Sequence, residues 1–122
     1  MTLRKTILLV EDDDSVRQLV RVTLELHDFD VVEASGAAEG LELLERHRPD
    51  AIVLDLMMPG MGGERLLTQL RAAPATRDTP VVVVSGKPEV GHEVLGLVGR
   101  ENFIVKPFDP QALIDRVRAA VG

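Results

Sequence analysis

Strand-like apolar runs alternate along this chain with segments of helical periodicity, and four of the runs end at a polar residue. The runs with the residues that follow them are Ile7–Val10 before Glu11, Asp12 and Asp13, Ala51–Leu54 before Asp55, Val81–Val84 before Ser85, and Phe103–Val105 before Lys106. Because the carboxyl ends of strands in an open parallel α/β sheet line one crevice, these polar residues should meet in space. Carboxylates, a hydroxyl and an ammonium in one crevice suit a divalent cation and a phosphoryl group.

The alternation predicts five strand–helix units. The expected strands are Thr6–Val10, Asp30–Ala34, Ala51–Asp55, Pro80–Ser85 and Phe103–Val105. The first strand is expected to be central because it is wholly apolar, and the second is expected at an edge. Right-handed crossovers between such units give a parallel sheet with helices on both faces.

Helix signals fall between these strands. Val16, Leu19, Val20, Thr23 and Leu24 recur at helical spacing in the first helix. Ser35 is expected to cap the second helix, whose inward residues would be Ala38, Leu41 and Leu44. Leu66, Leu67 and Leu70 mark a third helix that ends before Pro74, and Asp109 followed by Pro110 predicts the start of the last. The fourth helix, Glu89–Val98, is expected to be weak because it contains Gly91 and Gly96.

Composition excludes several classes of function. A chain of 122 residues with 45% hydrophobic and 28% charged residues suits one globular domain. A net charge of −6 and the absence of Trp and Tyr argue against a nucleic-acid surface. The chain has no cysteine, so thiolate metal sites and cysteine nucleophiles are excluded. The absence of cysteine suits the cytosol, no signal peptide is visible, and no segment approaches membrane-spanning length, so we expect a cytoplasmic protein that contacts no membrane.

Four segments, read together, point to one family. ILLVEDDDSVR, PDAIVLDLMMPGMGG, VVVVSGKP and FIVKPF resemble the receiver domain of two-component response regulators, in the family's order and over essentially the whole chain. The resemblance implies an α/β, flavodoxin-like, doubly wound five-stranded parallel sheet of strand order 2-1-3-4-5 with five helices. It also implies that residues 1–122 form a single receiver domain with no output domain in this chain.

The resemblance implies a role for each polar residue at the strand ends. Asp55 resembles the phosphoacceptor, and a carboxylate can attack a phosphohistidine to form a mixed anhydride. Ser85 resembles the hydroxyl residue that bonds a phosphoryl oxygen, and Lys106 resembles the lysine that pairs with the phosphoryl charge. In the family the Lys106–Pro107 bond would be cis. Phe103 stands where the family has an aromatic switch residue, which together with Ser85 would respond to phosphorylation.

The acids imply a Mg²⁺ site. Glu11 and Asp12 resemble the family's acidic pair, with Asp12 expected to bind the metal directly and Glu11 through water; Asp55 and the backbone carbonyl of Met57 would supply further ligands. Asp13 is an alternative to Asp12, although counting forward to Arg17 at its family position favours Glu11 with Asp12. Without metal, several carboxylates in one pocket would repel one another, and at least one pKa should rise.

The function implied is that of a signalling phosphoacceptor. It would take a phosphoryl group from a histidine kinase or phosphotransfer protein, without being an enzyme beyond its own phosphotransfer and autodephosphorylation. A surface made by the fourth helix, the fifth strand and the fifth helix would then signal to an unknown downstream protein, from a monomer or a weak phosphorylation-dependent dimer. One alternative is a pseudo-receiver used as an interaction scaffold. The other is a metal-dependent aspartyl-phosphate phosphohydrolase, which Met57 disfavours because it stands where such enzymes often have a second acid.

Overall fold

The computed structural model describes residues 4–56, 58, 62–86 and 92–122. In this described part of the chain, five strands alternate with five α-helices, and a short 3₁₀ turn at Arg100–Asn102 precedes the last strand. The strands are β1 (Lys5–Val10), β2 (Phe29–Ala34), β3 (Ala51–Asp55), β4 (Val81–Ser85) and β5 (Phe103–Val105). The helices are α1 (Asp14–Leu26), α2 (Ala37–Arg46), α3 (Gly63–Ala72), α4 (His92–Val98) and α5 (Pro110–Val121).

The strands form one parallel sheet in the order β2-β1-β3-β4-β5, which confirms the predicted topology and places β2 at an edge. In the register of the sheet, Val10 is level with Leu54 and Ser85 is level with Val105. The carboxyl ends of β1, β3, β4 and β5 are therefore aligned at one edge. The residues that follow these strands are brought to that edge together.

The core lies on both faces of the sheet. Because successive side chains of a strand point to opposite faces, Leu8 and Val10 pack with α2, α3 and α4, whereas Ile7 and Leu9 pack with α1 and α5. Every residue of β3 and β4 is buried, as expected of strands covered on both sides. Burial of each large aliphatic side chain contributes about 1.5–3 kcal/mol, so the sheet is a rigid platform for the residues at its edge.

Several helix ends agree with the sequence. The Asp109 side chain caps α5 by accepting a hydrogen bond from the Gln111 backbone N–H, with Pro110 at the first helical position. Helix α3 ends at Ala72, before Pro74.

The Lys106–Pro107 peptide bond is cis, as the resemblance implied. None of the helices in the described ranges has the length and apolar character needed to cross a membrane.

The prediction for the second helix is wrong in two details. Its N-cap is Gly36, and the Ser35 backbone N–H donates instead to the Glu39 carboxylate at 2.7 Å. Because the helix begins at Ala37, the inward row starts there and continues through Gly40, which leaves Ala38 exposed. Leu41 and Leu44 pack against the core as predicted.

Helices α1 and α4 differ in part from the helices predicted from the sequence. In α1, Leu19 belongs to the set of residues that recur at helical spacing, but it is 54% exposed because Val20 and Leu24 occupy the centre of the buried stripe. Helix α4 covers His92–Val98 of the predicted Glu89–Val98, whose first three residues lie outside the described ranges.

Candidate functional site

Three buried polar residues mark the carboxyl edge of the sheet. Glu11 follows β1, Asp55 ends β3 and Ser85 ends β4, and each is at most 3% exposed. Their backbones are fixed by sheet bonds: the Glu11 N–H donates to Ala34 at 3.1 Å, and the Ser85 carbonyl accepts from the Lys106 N–H at 2.7 Å. Buried polar side chains at such positions are costly unless they are paired, which marks this edge as a functional site.

An acidic cluster forms at this edge. Carboxylate oxygens of Glu11, Asp12 and Asp55 lie within 4.8 Å of one another. Glu11 and Asp55 are buried and Asp12 is exposed, and all three line an open depression of about 590 Å³. Oxygen atoms at these separations can share one small cation. The sequence predicted this association from strand ends alone.

Lys106 reaches into the cluster from the end of β5. Its Nζ donates a hydrogen bond to Glu11 Oε1 at 2.8 Å and lies 3.7 Å from Asp55 Oδ2. Partial burial by itself lowers the pKa of Lys106, but its hydrogen bond to Glu11 and the charges of Glu11 and Asp55 raise it above the ordinary value. Lys106 is therefore a fixed positive charge beside Asp55.

Burial and the crowding of carboxyl groups raise the pKa of Glu11, and the sequence predicted such a rise. Burial, a hydrogen bond with Asp55 and repulsion from its charge raise the pKa of Glu11 from 4.5 to about 7. The hydrogen bonds that Glu11 accepts from Lys106 and from the Asp13 backbone N–H oppose this rise. The pKa of Glu11 is therefore raised mainly because the carboxyl group is buried, and the neighbouring Asp55 adds to the rise.

The turn from β1 into α1 separates the roles of the acids. Asp13 is the N-cap of α1, and its side chain accepts a hydrogen bond from the Val16 backbone N–H at 3.0 Å. Asp14 begins the helix and pairs with Arg17 at 2.6 Å. Asp13 and Asp14 therefore stabilise the helix start, whereas Glu11 and Asp12 face Asp55.

The remaining predicted residues occupy different places. Phe103 is partly buried at the start of β5 and packs against the core cluster on the α3 and α4 face of the sheet. Met57, predicted to offer its backbone carbonyl, lies outside the described residues.

Two contacts at the site were not found from the sequence. The Arg17 guanidinium donates to the Glu11 backbone carbonyl at 2.9 Å. Gly63 begins α3 against the backbone of Asp55 and Leu56, where a Cβ atom would lie 2.6 Å from Leu56 Cα. The glycine-rich loop that contains Gly63 is a signal that the sequence offers for the second contact. No sequence pattern indicates the first contact, which joins the Arg17 side chain to a backbone carbonyl.

Comparison with known proteins identifies this arrangement. The family described as "Response regulator receiver domain" matches residues 7–118. The chain belongs to this family. Receiver domains of this family are signalling phosphoacceptors of two-component systems.

Relatives and solved structures agree with this assignment. The chain is 34% identical to the phosphate regulon transcriptional regulatory protein PhoB of Pseudomonas aeruginosa, over 96% of this chain and 52% of PhoB. It is 39% identical to the response regulator MprA of Mycobacterium leprae, over 93% of this chain and 49% of MprA. The chain thus spans about half the length of these curated relatives.

Among solved structures, a putative response regulator from Chloroflexus aurantiacus superposes with a TM-score of 0.87 at 28% identity, covering 97% of this chain and 98% of the other. The chemotaxis protein CheY4 of Vibrio cholerae gives a TM-score of 0.83 at 27% identity, covering 96% and 98%. The fold of this receiver domain is therefore shared along essentially its whole length.

Proposed function

We propose that Asp55 accepts a phosphoryl group from the phosphohistidine of a histidine kinase or phosphotransfer protein. The observation that carries this proposal is the placement of the buried Asp55 carboxylate within 4.8 Å of two further acids and 3.7 Å from the Lys106 ammonium. An Asp55 oxygen forms a bond to phosphorus as the phosphorus–nitrogen bond breaks, and the imidazole leaves with the bonding electron pair. The product is a mixed anhydride on the protein.

The acidic cluster fits a magnesium ion. Glu11, Asp12 and Asp55 present hard oxygen ligands within 4.8 Å of one another, and a cation held there would neutralise the charge of these closely spaced carboxylates. These three residues would hold the ion, with the Met57 carbonyl as a further ligand expected from the sequence. When bound, Mg²⁺ supplies charge neutralisation at the oxygens of the transferring group.

Lys106 and Ser85 complete the proposed site. The Lys106 ammonium, 3.7 Å from Asp55 Oδ2, pairs with a phosphoryl oxygen once that group is attached. The Ser85 hydroxyl donates a hydrogen bond to a second phosphoryl oxygen. Phosphoryl transfer needs positioning and charge stabilisation more than covalent help from the protein, and these groups supply both. Beyond its own phosphotransfer and autodephosphorylation, the protein has no enzymatic activity in this proposal.

The signal leaves through the surface made by α4, β5 and α5. Phosphorylation adds about −1.5 to −2 charges to the site. Ser85 and Lys106 are drawn towards the new group, and because their backbones are hydrogen bonded at 2.7 Å, β4 and β5 move together. Phe103 at the start of β5 repacks in response. The outcome is a population shift between two states of the surface that a downstream protein reads.

Labelling tests the proposal. With MgCl₂, acetyl phosphate should add one phosphoryl group to the wild-type protein, detected by intact mass, and EDTA should prevent it. Asp55→Asn should abolish labelling, whereas Asp78→Asn, an exposed acid away from the cluster, should leave it unchanged. Equal labelling of Asp55→Asn would exclude Asp55 as the acceptor, and no label on the wild type would favour the pseudo-receiver scaffold.

A further inference from the structure

Arg17 connects three elements beside the acidic cluster. From the first turn of α1 its guanidinium donates to the Glu11 backbone carbonyl at 2.9 Å and to Asp14 Oδ1 at 2.6 Å. Its Nε lies 3.7 Å from Glu33 Oε1 on the edge strand β2. The side chain is 18% exposed, well below the exposure of an ordinary surface arginine. A planar guanidinium can serve several acceptors at once in this way.

The hydrogen bond from Arg17 to Glu11 helps to fix the orientation of the peptide units on either side of Glu11. The Glu11 N–H is held by the Ala34 carbonyl at 3.1 Å, and Glu11 Oε2 accepts from the Asp13 N–H at 3.3 Å. The Glu11 carbonyl is held by Arg17. That carbonyl belongs to the peptide unit joining Glu11 to Asp12, so its direction sets how both side chains leave the backbone.

We propose that Arg17 is a positioning residue for the divalent-cation site, which it serves by fixing the Glu11 carbonyl and hence the directions of the Glu11 and Asp12 carboxylates. This inference rests on the proposed function and extends it to a residue that touches neither the cation nor the phosphoryl group. Groups that orient metal ligands in this way typically change metal affinity by about 10–100-fold when they are removed.

Loss of the Arg17 charge and loss of its positioning role would change the affinity for a cation in opposite directions. Removing an arginine from a protein of net charge −6 makes it more negative, so long-range electrostatics alone would tighten the binding of a cation. Loss of positioning would weaken it. A weaker affinity in the variant therefore cannot come from the lost charge.

Arg21 offers a matched control. It lies one turn further along α1, pairs with the same Glu33 at 3.3 Å and with Glu25 at 2.9 Å, and makes no hydrogen bond to Glu11. Arg17→Met and Arg21→Met each remove one charge and one partner of Glu33 while keeping an apolar stem. The two variants thus differ in the contact with the Glu11 carbonyl.

The test is calorimetric titration of the protein with MgCl₂, which needs no phosphodonor. We expect Arg17→Met to bind Mg²⁺ about tenfold more weakly than wild type and Arg21→Met to bind at least as tightly as wild type. Equal or tighter binding by Arg17→Met, or equal weakening in both variants, would overturn the proposal. Acetyl phosphate labelling of the wild type decides separately whether the proposed function holds.

A second variant covers a failure to fold. Arg17→Lys keeps the charge but lacks the planar fork of the guanidinium, so its compact ammonium cannot hold the Glu11 carbonyl in the same geometry while it also pairs with Asp14 and Glu33. If thermal unfolding shows that Arg17→Met is not folded at the titration temperature, Arg17→Lys decides the question. Binding about two- to threefold weaker than wild type supports positioning, and unchanged binding overturns it.

Discussion

Lys106 Nζ lies 2.8 Å from Glu11 Oε1, nearer than to the proposed phosphoacceptor Asp55 at 3.7 Å. The lysine is thus partly neutralised by an acid that, in the proposed function, also serves the cation. Attachment of a phosphoryl group to Asp55 offers Lys106 a more highly charged partner in the same depression. Glu11 therefore links the charge balance of the resting site to the behaviour of Lys106 during signalling.

The first prediction concerns pH. The pKa of Glu11 is about 7 in the folded protein and 4.5 in the unfolded chain. Between pH 4.5 and pH 7 the folded state therefore retains a proton that the unfolded state releases. Without metal, the free energy of unfolding should fall as pH rises from about 4.5 to 7, by about 3 kcal/mol at most. Glu11→Gln should reduce this fall, and MgCl₂ should stabilise the wild type more at pH 8 than at pH 5.

Urea unfolding at each pH measures the effect. The relevant quantity is the difference between wild type and Glu11→Gln, because every other residue is common to both proteins and its contribution cancels. The groups facing Glu11 are Asp55, Lys106 and the β1–α1 turn with Arg17, all unchanged in the variant. Parallel pH profiles for the two proteins would show that Glu11 is already ionised near pH 5.

The fold and the association of the site residues could be predicted because both depend on patterns of short range. Apolar runs locate strands, and parallel topology brings their carboxyl ends to one edge, so Glu11, Asp12, Asp55 and Lys106 are gathered. The helix start at Ala37 could not be predicted as readily, since Ser35 and Gly36 both suit a cap and packing decides between them.

Contacts between distant groups could not be predicted from the sequence, for a different reason. The hydrogen bond from Arg17 to the Glu11 carbonyl depends on the angle between β1 and α1, which no residue pattern encodes. The preference of Lys106 for Glu11 over Asp55 is likewise a matter of about 1 Å in three dimensions. Such distances depend on how the elements pack in three dimensions.

Gly63 provides the second prediction. A methyl group there would contact the Asp55 carbonyl oxygen and lie 2.6 Å from Leu56 Cα, and backbone atoms cannot move aside cheaply. Gly63→Ala should destabilise the protein by about 1–3 kcal/mol and, by shifting the end of β3, slow labelling of Asp55. Gly96→Ala is the control, because its Cβ meets nothing within 4 Å in α4 and should stabilise by about 0.5–1 kcal/mol.

Urea unfolding and the rate of acetyl phosphate labelling check both Gly variants. If Gly63→Ala were as stable as wild type and labelled at the same rate, the close packing of α3 on the phosphoacceptor strand would not matter to the site.

The third prediction concerns the lifetime of the aspartyl phosphate. Hydrolysis needs a water in line with phosphorus, and the sequence places Met57, a residue without a group to hold water, two positions after Asp55. Met57→Asn should therefore lose its phosphoryl group faster than wild type, and Met57→Leu, which is also apolar, should match wild type. Decay of labelled protein after removal of the phosphodonor gives both rates. Slower decay in Met57→Asn would contradict this role.

The fourth prediction concerns α4, the shortest α-helix of the described part of the chain. Its C-terminal end is held by Arg71, whose Nε donates to the Leu97 carbonyl at 2.7 Å while its Nη1 donates to the Thr79 carbonyl at 2.6 Å. Asn102 adds a hydrogen bond to the Val98 carbonyl at 2.9 Å. We expect α4, which contains Gly96, to unfold locally more readily than α1, because an interior glycine weakens a helix. Its amides should become protected from hydrogen exchange when a phosphoryl mimic binds at Asp55.

Hydrogen exchange on the free protein and on its complex with Mg²⁺ and beryllofluoride, a mimic of the phosphoryl group, measures this. Residues 92–98 should exchange faster than residues 14–26 in the free form and slow down in the complex. Arg71→Met should speed exchange in α4 and in the turn around Thr79 together, because one guanidinium serves both, whereas Arg77→Met, at an exposed position, should not. If α4 were as protected as α1 in the free protein and unchanged in the complex, the surface that responds to phosphorylation would have to lie elsewhere.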